Sequence, residues 1–367
     1  MRVLQVVGVT AGGVRAHVGQ LAGLLQEAGH QVAIAGPAGS RPNVDGVRQA
    51  ELAIGRRPSP SDPVTAWRLR HLAAGADVVH AHGLRAGALA AAALRMKPRP
   101  ARGTTAGKPR LVVTLHNAPP AGSTAKAISS VLARMLAGAD QVLAVSQDLI
   151  DWLGTQGVRQ AELTVIPAPA VAPPARSREA VRQEVGLAPG QPLIVQVGRL
   201  APQKGLGLAV DAAAALATRP RPPLWLIVGE GPTRNQLEAQ IARLKAPVRL
   251  VGASTDVGSY YAAADVVVST AVWEGQPVAL REALRAGCAI VATDVGGTAA
   301  ALGGTAAAAL LVKRELGAVV SGIGHLLDNP EMAAELRRKA VIEAAKLPGE
   351  AALLAQVLAT YGTGSLR

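Results

Sequence analysis

"QPLIVQVGRLAPQKGLGLAVDAAAAL", residues 191–216, lays out one structural unit in full. The segment PLIVQVG (192–198) is apolar at nearly every position instead of alternating, so both faces of the strand are buried, as in a parallel sheet. Gly198 closes it, a loop carrying Arg199 and Lys204 follows, and an Ala- and Leu-rich helix comes next. A strand covered on both faces with a helix behind it is the repeating unit of doubly wound α/β domains.

The same unit recurs on either side. RVLQVVGV (2–9), QVAIAGP (31–37), ADVVHAH (76–82), RLVVTLHN (110–117), QVLAVS (141–146) and LTVIP (163–167) precede it. PLWLIVG (223–229), VRLVG (248–252), DVVVST (265–270) and AIVATD (289–294) follow it. The series breaks at PAPAVAPPARS (167–177), where four prolines resist both helix and strand. This predicts an α/β chain of two Rossmann-like doubly wound domains, residues 1–168 and 178–346, facing a ligand cleft at their strand C-terminal ends. A final helix, 347–367, is expected to cross back to the first domain.

At 367 residues with 49% apolar side chains, two cores can be filled. They contain no Phe, so helices must approach the sheets closely. The net charge of +13 is concentrated early: residues 1–175 hold 18 Lys and Arg against 9 Asp and Glu, the remainder 20 against 16. Such a balance attracts nucleotides, anionic membranes or acidic polymers. The single Cys288 excludes an internal disulfide and a cysteine-based zinc site. The start of the chain lacks a signal-peptide pattern, and the uncharged run 295–312 is too rich in Gly and Thr for a membrane helix. A cytoplasmic setting is expected.

Four stretches carry candidate chemistry. In EGQPVALREALRAG (274–287), Glu274 lies in the loop before a helix that Pro277 opens, and Glu282 lies two turns inside it. The free amides at the helix start, from Gly275 and Gln276 through Pro277, Val278 and Ala279, form a phosphate seat in which Pro277 itself has no N–H to give. Arg199 and Lys204 suit a diphosphate, the first as a fork and the second as a point charge. Gly12 and Gly13, in VGVTAGGVRAHV (7–18), allow close backbone approach to a phosphate or sugar without forming a GxGxxG fingerprint. His116, in TLHNAPP (114–120), stands at a strand end. His80 and His82 alternate to one face, but without carboxylate or thiolate partners a metal there is set aside.

In order and spacing, GRLAPQKG, GEGP (229–232), EGQPVALREALRAG and VATDVGG resemble the C-terminal half of retaining glycosyltransferases of family 4, which have the GT-B fold. AGGVRAHVGQLAGLLQEAGHQV is similar to that family's N-terminal start, close to mannosyltransferases acting on phosphatidylinositol. The resemblance implies a hexosyltransferase using a UDP- or GDP-linked sugar, an acceptor that is a glycan, a lipid or a small molecule, and no cofactor or metal. It implies Arg199 and Lys204 on the diphosphate and Glu282 on the ribose. It further implies Glu274 with the amides of 275–279 on the donor sugar and phosphate, Val251 against the base, Gly12 and Gly13 facing donor or acceptor, and His116 beside the reacting carbon. Gln276 replaces a common aromatic or Leu, and no acid follows TDVGG.

Two further classes fit the same pattern. One is a GT-B nucleotide-sugar 2-epimerase, and the other is a non-catalytic binder of sugar nucleotide or anionic glycan. Nucleic acid is not expected, because no aromatic stacking platform is present. The basic stretch 95–110, with six cations and no acid, is an expected contact to an anionic membrane surface, on the inner face of the cell membrane, or to an acidic glycan acceptor.

Overall fold

The computed structural model describes residues 1–10, 12–96, 108–119, 122–167, 170–304 and 308–362. The chain divides into two compact units, Met1–Pro167 with Pro348–Arg367, and Ala168–Leu347. Most of the basic stretch 95–110, from 97 to 107, lies outside the described residues.

The first unit is a seven-stranded parallel sheet of β1 (Arg2–Val7), β2 (Gln31–Gly36), β3 (Arg48–Glu51), β4 (Val78–His82), β5 (Arg110–Leu115), β6 (Gln141–Ala144) and β7 (Ala161–Leu163), in the order β3-β2-β1-β4-β5-β6-β7. The strand order reverses between β1 and β4, where Val7 pairs with His82, and His82 pairs in turn with Thr114 of β5. The second unit holds β8 (Leu193–Val197), β9 (Leu224–Val228), β10 (Val248–Gly252), β11 (Val266–Ser269), β12 (Ile290–Thr293) and β13 (Leu310–Val312), parallel in the order β10-β9-β8-β11-β12-β13. Here the reversal falls between β8 and β11. Ligands of open α/β sheets bind at such reversals, beyond the strand C-termini.

The cores follow from the composition. Trp225 is fully buried among Ile194, Val210 and Ile227, and Ala-rich helices such as Leu206–Leu216 lie against that side of the sheet. The closing helix Glu350–Tyr361 belongs to the first unit. Leu353, Val357 and Tyr361 are buried in its core, and Arg110 donates to the carbonyl of Thr360 at 2.8 Å.

The expected strand at 163–167 is not formed: β7 is Ala161–Leu163, and the chain leaves the sheet after Thr164 donates to the Ala144 carbonyl. The closing helix supplies the missing partners, because the Gln356 side chain accepts from the Val165 amide at 2.6 Å and donates to the Leu163 carbonyl at 2.7 Å. The edge strands β3 and β13 were absent from the sequence reading. The first is a polar, largely exposed RQAE, and the second is three residues at the end of an Ala run.

Candidate functional site

In the second unit, the ends of β8 and β11 border a pocket lined among others by Gln196, Gly198, Ser269, Glu274, Pro277 and Ala279. Lys204 ends the single turn Pro202–Lys204 and folds back over Gly198, so that its Nζ reaches Glu274 Oε1 at 2.5 Å. Glu274 is buried, while the Lys204 side chain keeps a quarter of its surface exposed. Backbone bonds fix the two loops to one another: the Val272 amide donates to the Gln203 carbonyl at 2.8 Å, and the Gln203 side chain to the Trp273 carbonyl at 3.0 Å.

The loop after β12 completes this frame. The amide of Gly297 donates to the Glu274 carbonyl at 2.7 Å. Gly296, at φ 54°, packs so tightly that an added Cβ would lie 2.1 Å from that same oxygen. The GEGP turn plays a matching part under Arg199, because a Cβ on Gly229 or Gly231 would meet the backbone oxygens of Gly198 or Leu200 at 2.0 and 2.3 Å. The glycines of GEGP are therefore packing sites for the cation-bearing loop.

The helix Val278–Arg285 starts at this pocket, with Pro277 as its extended cap. Its first ladder bond runs from the Arg281 amide to the Pro277 carbonyl, which leaves the amides of Val278, Ala279 and Leu280 without helical acceptors. Their partial positive charge and the Lys204 ammonium favour an anion there. Gly275 is buried, and the Gln276 side chain accepts from Arg281 at 3.2 Å.

The other expected residues stand apart from this pocket lining. The Arg199 side chain is exposed, and Val251 packs half-buried against the second core cluster. Glu282 is bound within the fold, its Oε2 3.1 Å from the hydroxyl of Tyr261, which also lies 2.9 Å from the Ala279 carbonyl. Tyr261 was not singled out in the sequence, since its partner is 21 positions away. Burial raises the Glu282 pKa above its ordinary 4.5, an effect opposed by the Tyr261 hydrogen bond. A carboxyl group raised on folding gives stability that is complete below its unfolded pKa and is lost as pH rises through the folded one. Glu282→Gln is therefore expected to raise the thermal midpoint at neutral pH, with the gain vanishing below pH 4.5; a gain that does not change with pH would remove burial of this charge as its cause.

In the first unit, Gly12 (φ 60°) and Gly13 are exposed at the start of the helix Gly13–Glu27, with open space around both. His116 is half-buried one residue past β5, and its Nε2 lies 3.2 Å from Nδ1 of His82 at the end of β4. His17, from the first helix, sets its ring edge-on to both, with centroids at 5.9 and 5.2 Å. His80 stacks on His82 at 4.3 Å, but its two nitrogens are engaged by the Tyr361 hydroxyl at 2.8 Å and Thr114 Oγ1 at 2.7 Å. The His80–His82 pair weighed from the sequence is thus replaced by a grouping of His82 with His17 and His116. Burial lowers the His17 pKa to about 4 and that of His80 to about 3, and holds His82 and His116 well below 6.5.

Cys288 is buried and its thiol is pushed up to about 12 by burial, which makes it inert. Among the described residues no helix is long and apolar enough to cross a membrane.

Comparison with known proteins covers both units. Residues 11–170 match the family model described as Glycosyltransferase Family 4, and residues 177–343 match Glycosyl transferases group 1. The 2-deoxystreptamine glucosyltransferase of Streptomyces kanamyceticus is 31% identical over 215 residues, 57% of this chain and 51% of that protein. The D-inositol 3-phosphate glycosyltransferase of Nocardia farcinica is 31% identical over 180 residues, 46% of this chain and 40% of that one. The chain thus spans about half the length, or less, of the curated relatives it matches. Among solved structures, Anabaena HepE in complex with UDP superimposes with a TM-score of 0.79 at 19% identity, over 99% of this chain and 100% of that one. Sucrose-phosphate synthase from Thermosynechococcus elongatus gives 0.80 at 20% identity, over 99% of both.

Proposed function

The chain belongs, through both of its halves, to the group 1 glycosyltransferases of family 4, and we propose that it moves a sugar from a UDP- or GDP-linked donor to a glycan, lipid or small-molecule acceptor with retention of configuration. The observation carrying this reading is the Lys204–Glu274 pair at 2.5 Å, on the pocket at the β8/β11 reversal and beside the start of the helix Val278–Arg285.

In this reading the diphosphate lies against the Lys204 ammonium and the amides of Val278–Leu280, with Arg199 closing over it from its exposed loop. Glu274 both fixes the ammonium and accepts from hydroxyls of the donor sugar, and the second carboxylate oxygen of Glu282 accepts from the ribose. As the bond from the anomeric carbon to the phosphate oxygen breaks, charge grows on that oxygen, and the fixed cation and helix start stabilise it. The acceptor oxygen bonds to the same face of the anomeric carbon and passes its proton to the departing phosphate oxygen. Charge stabilisation of the leaving group, together with positioning, replaces a protein nucleophile.

Similarity to a structure holding UDP supports the donor class. A thermal-shift panel of UDP-, GDP- and ADP-sugars with the free diphosphates tests it. The true donor is expected to raise the midpoint by several degrees at saturation, since binding stabilises by mass action. The absence of any shift across the panel would end the proposal. The same reading extends to an anionic membrane surface met through 95–110, checked by vesicle co-sedimentation before and after its cations are changed to Gln.

A further inference from the structure

The geometry points to a binding site for one divalent transition-metal ion, of zinc type, formed by His17, His82 and His116 in the first unit. It is argued from the geometry of the three rings and not from the transfer reaction, although His116 is also the residue that the family resemblance sets beside the reacting carbon.

Three elements bring the residues together. His17 comes from the helix following β1, His82 ends β4, and His116 follows β5. Strand order reverses between β1 and β4, so the cluster occupies the ligand-binding position of this sheet. One nitrogen from each ring lies within 4.8 Å of the other two.

The spacing fits a shared ion. Two imidazole nitrogens on one tetrahedral zinc, each at about 2.0–2.1 Å, stand roughly 3.3 Å apart. His82 Nδ1 and His116 Nε2 are 3.2 Å apart. Among the described residues, Nδ1 of His17 is buried without a hydrogen-bond partner. A purely structural imidazole cluster would satisfy this nitrogen, because a buried polar atom left unpaired is costly.

The chemistry of the donor set agrees. Imidazole suits zinc, copper and nickel, and it binds them in its neutral form. Three histidines leave a fourth position open to water or to an oxygen of a bound ligand. His116 is half-buried and Gly12 and Gly13 are exposed, which provides an entry path. Behind the site, His80 stacks on the His82 ring and is itself held by Thr114 and Tyr361, fixing His82 in place.

The test uses the full chain without a histidine tag, freed of metal by a chelator and titrated with Zn²⁺ and with Co²⁺ as a visible reporter. One ion per chain is expected, with the visible absorption of tetrahedral Co²⁺. His17→Gln and His82→Gln should each weaken binding at least about tenfold, whereas His71→Gln, at an exposed histidine elsewhere, leaves it unchanged. Stoichiometric binding that persists in His17→Gln would overturn the assignment, as would uptake well below one ion per chain. Should the variants fail to fold, zinc-edge X-ray absorption on the unaltered chain decides the matter: three imidazole ligands support the site and one or none refutes it. No donor or acceptor enters these measurements, so failure here leaves the glycosyltransferase reading standing.

Discussion

Lys204→Ala is expected to lower the rate of sugar transfer by about 10²–10³-fold, the range found when one fixed group that stabilises developing negative charge is removed. Lys204 is the one cation lining the pocket at the β8/β11 reversal among the described residues. The substitution also leaves the Glu274 carboxylate buried without its counter-charge. Removing one member of a buried pair destabilises by about 3–5 kcal/mol. The lower end applies here, because a quarter of the Lys204 side chain is in solvent.

Loss of activity and loss of stability are separable by a second substitution. In Lys204→Ala/Glu274→Ala the stranded carboxylate is gone, so the thermal midpoint recovers toward that of the unaltered chain. Transfer does not recover, since neither the cation nor the sugar-binding carboxylate is restored. Glu274→Ala alone costs less stability, because a partly exposed ammonium is hydrated, yet it too abolishes most transfer. If the pair were only a structural tie, activity would return with stability in the double variant. Calorimetry alongside a transfer assay reads both quantities, and parallel recovery would remove Lys204 and Glu274 from the chemistry.

The partial legibility of this site has a physical cause. Buried parallel strands advertise themselves by unbroken apolar runs, so β8, β9 and β12 were readable to within a residue or two of their ends. Strand order was not readable, because it depends on which units pair across the whole chain. Residues bound to near neighbours in sequence, such as Glu274 before its helix, declare their place through loop and helix signals. Pairings between distant positions do not. Lys204 meets Glu274 across 70 positions, and His80 meets Tyr361 across 281. His17 stands on a helix with no local signal, and only β4 and β5 bring two more imidazoles beside it. The eight-residue spacing of Glu274 and Glu282 suggested two carboxylates grasping one ligand; Glu274 lines the pocket, and Glu282 Oε2 lies 3.1 Å from the Tyr261 hydroxyl, a partner the spacing does not announce.

Gly296→Ala is expected to reduce transfer by about 10²-fold although it alters no charged group, because small misplacements of reacting groups cost about that much. Two costs coincide at this position. A left-handed backbone at φ 54° disfavours any side chain by roughly 1–2 kcal/mol. The added methyl would also lie 2.1 Å from the Glu274 carbonyl oxygen, closer than any real contact. The obstacle is backbone, so it is the loop that must yield, and the 2.7 Å bond from Gly297 to that carbonyl stretches or breaks. Glu274 then loses its tie to the loop after β12 and shifts against Lys204, although Val272 and Trp273 just before it still bond Gln203. Gly186→Ala supplies the comparison: φ is 59° and nothing lies within 4 Å of the new methyl, so only the backbone cost of roughly 1–2 kcal/mol remains and transfer is retained. Equal activity in the two variants would mean that the loop after β12 does not position Glu274. Loss confined to Gly296→Ala, with the donor still bound, would place the defect in alignment and not in affinity.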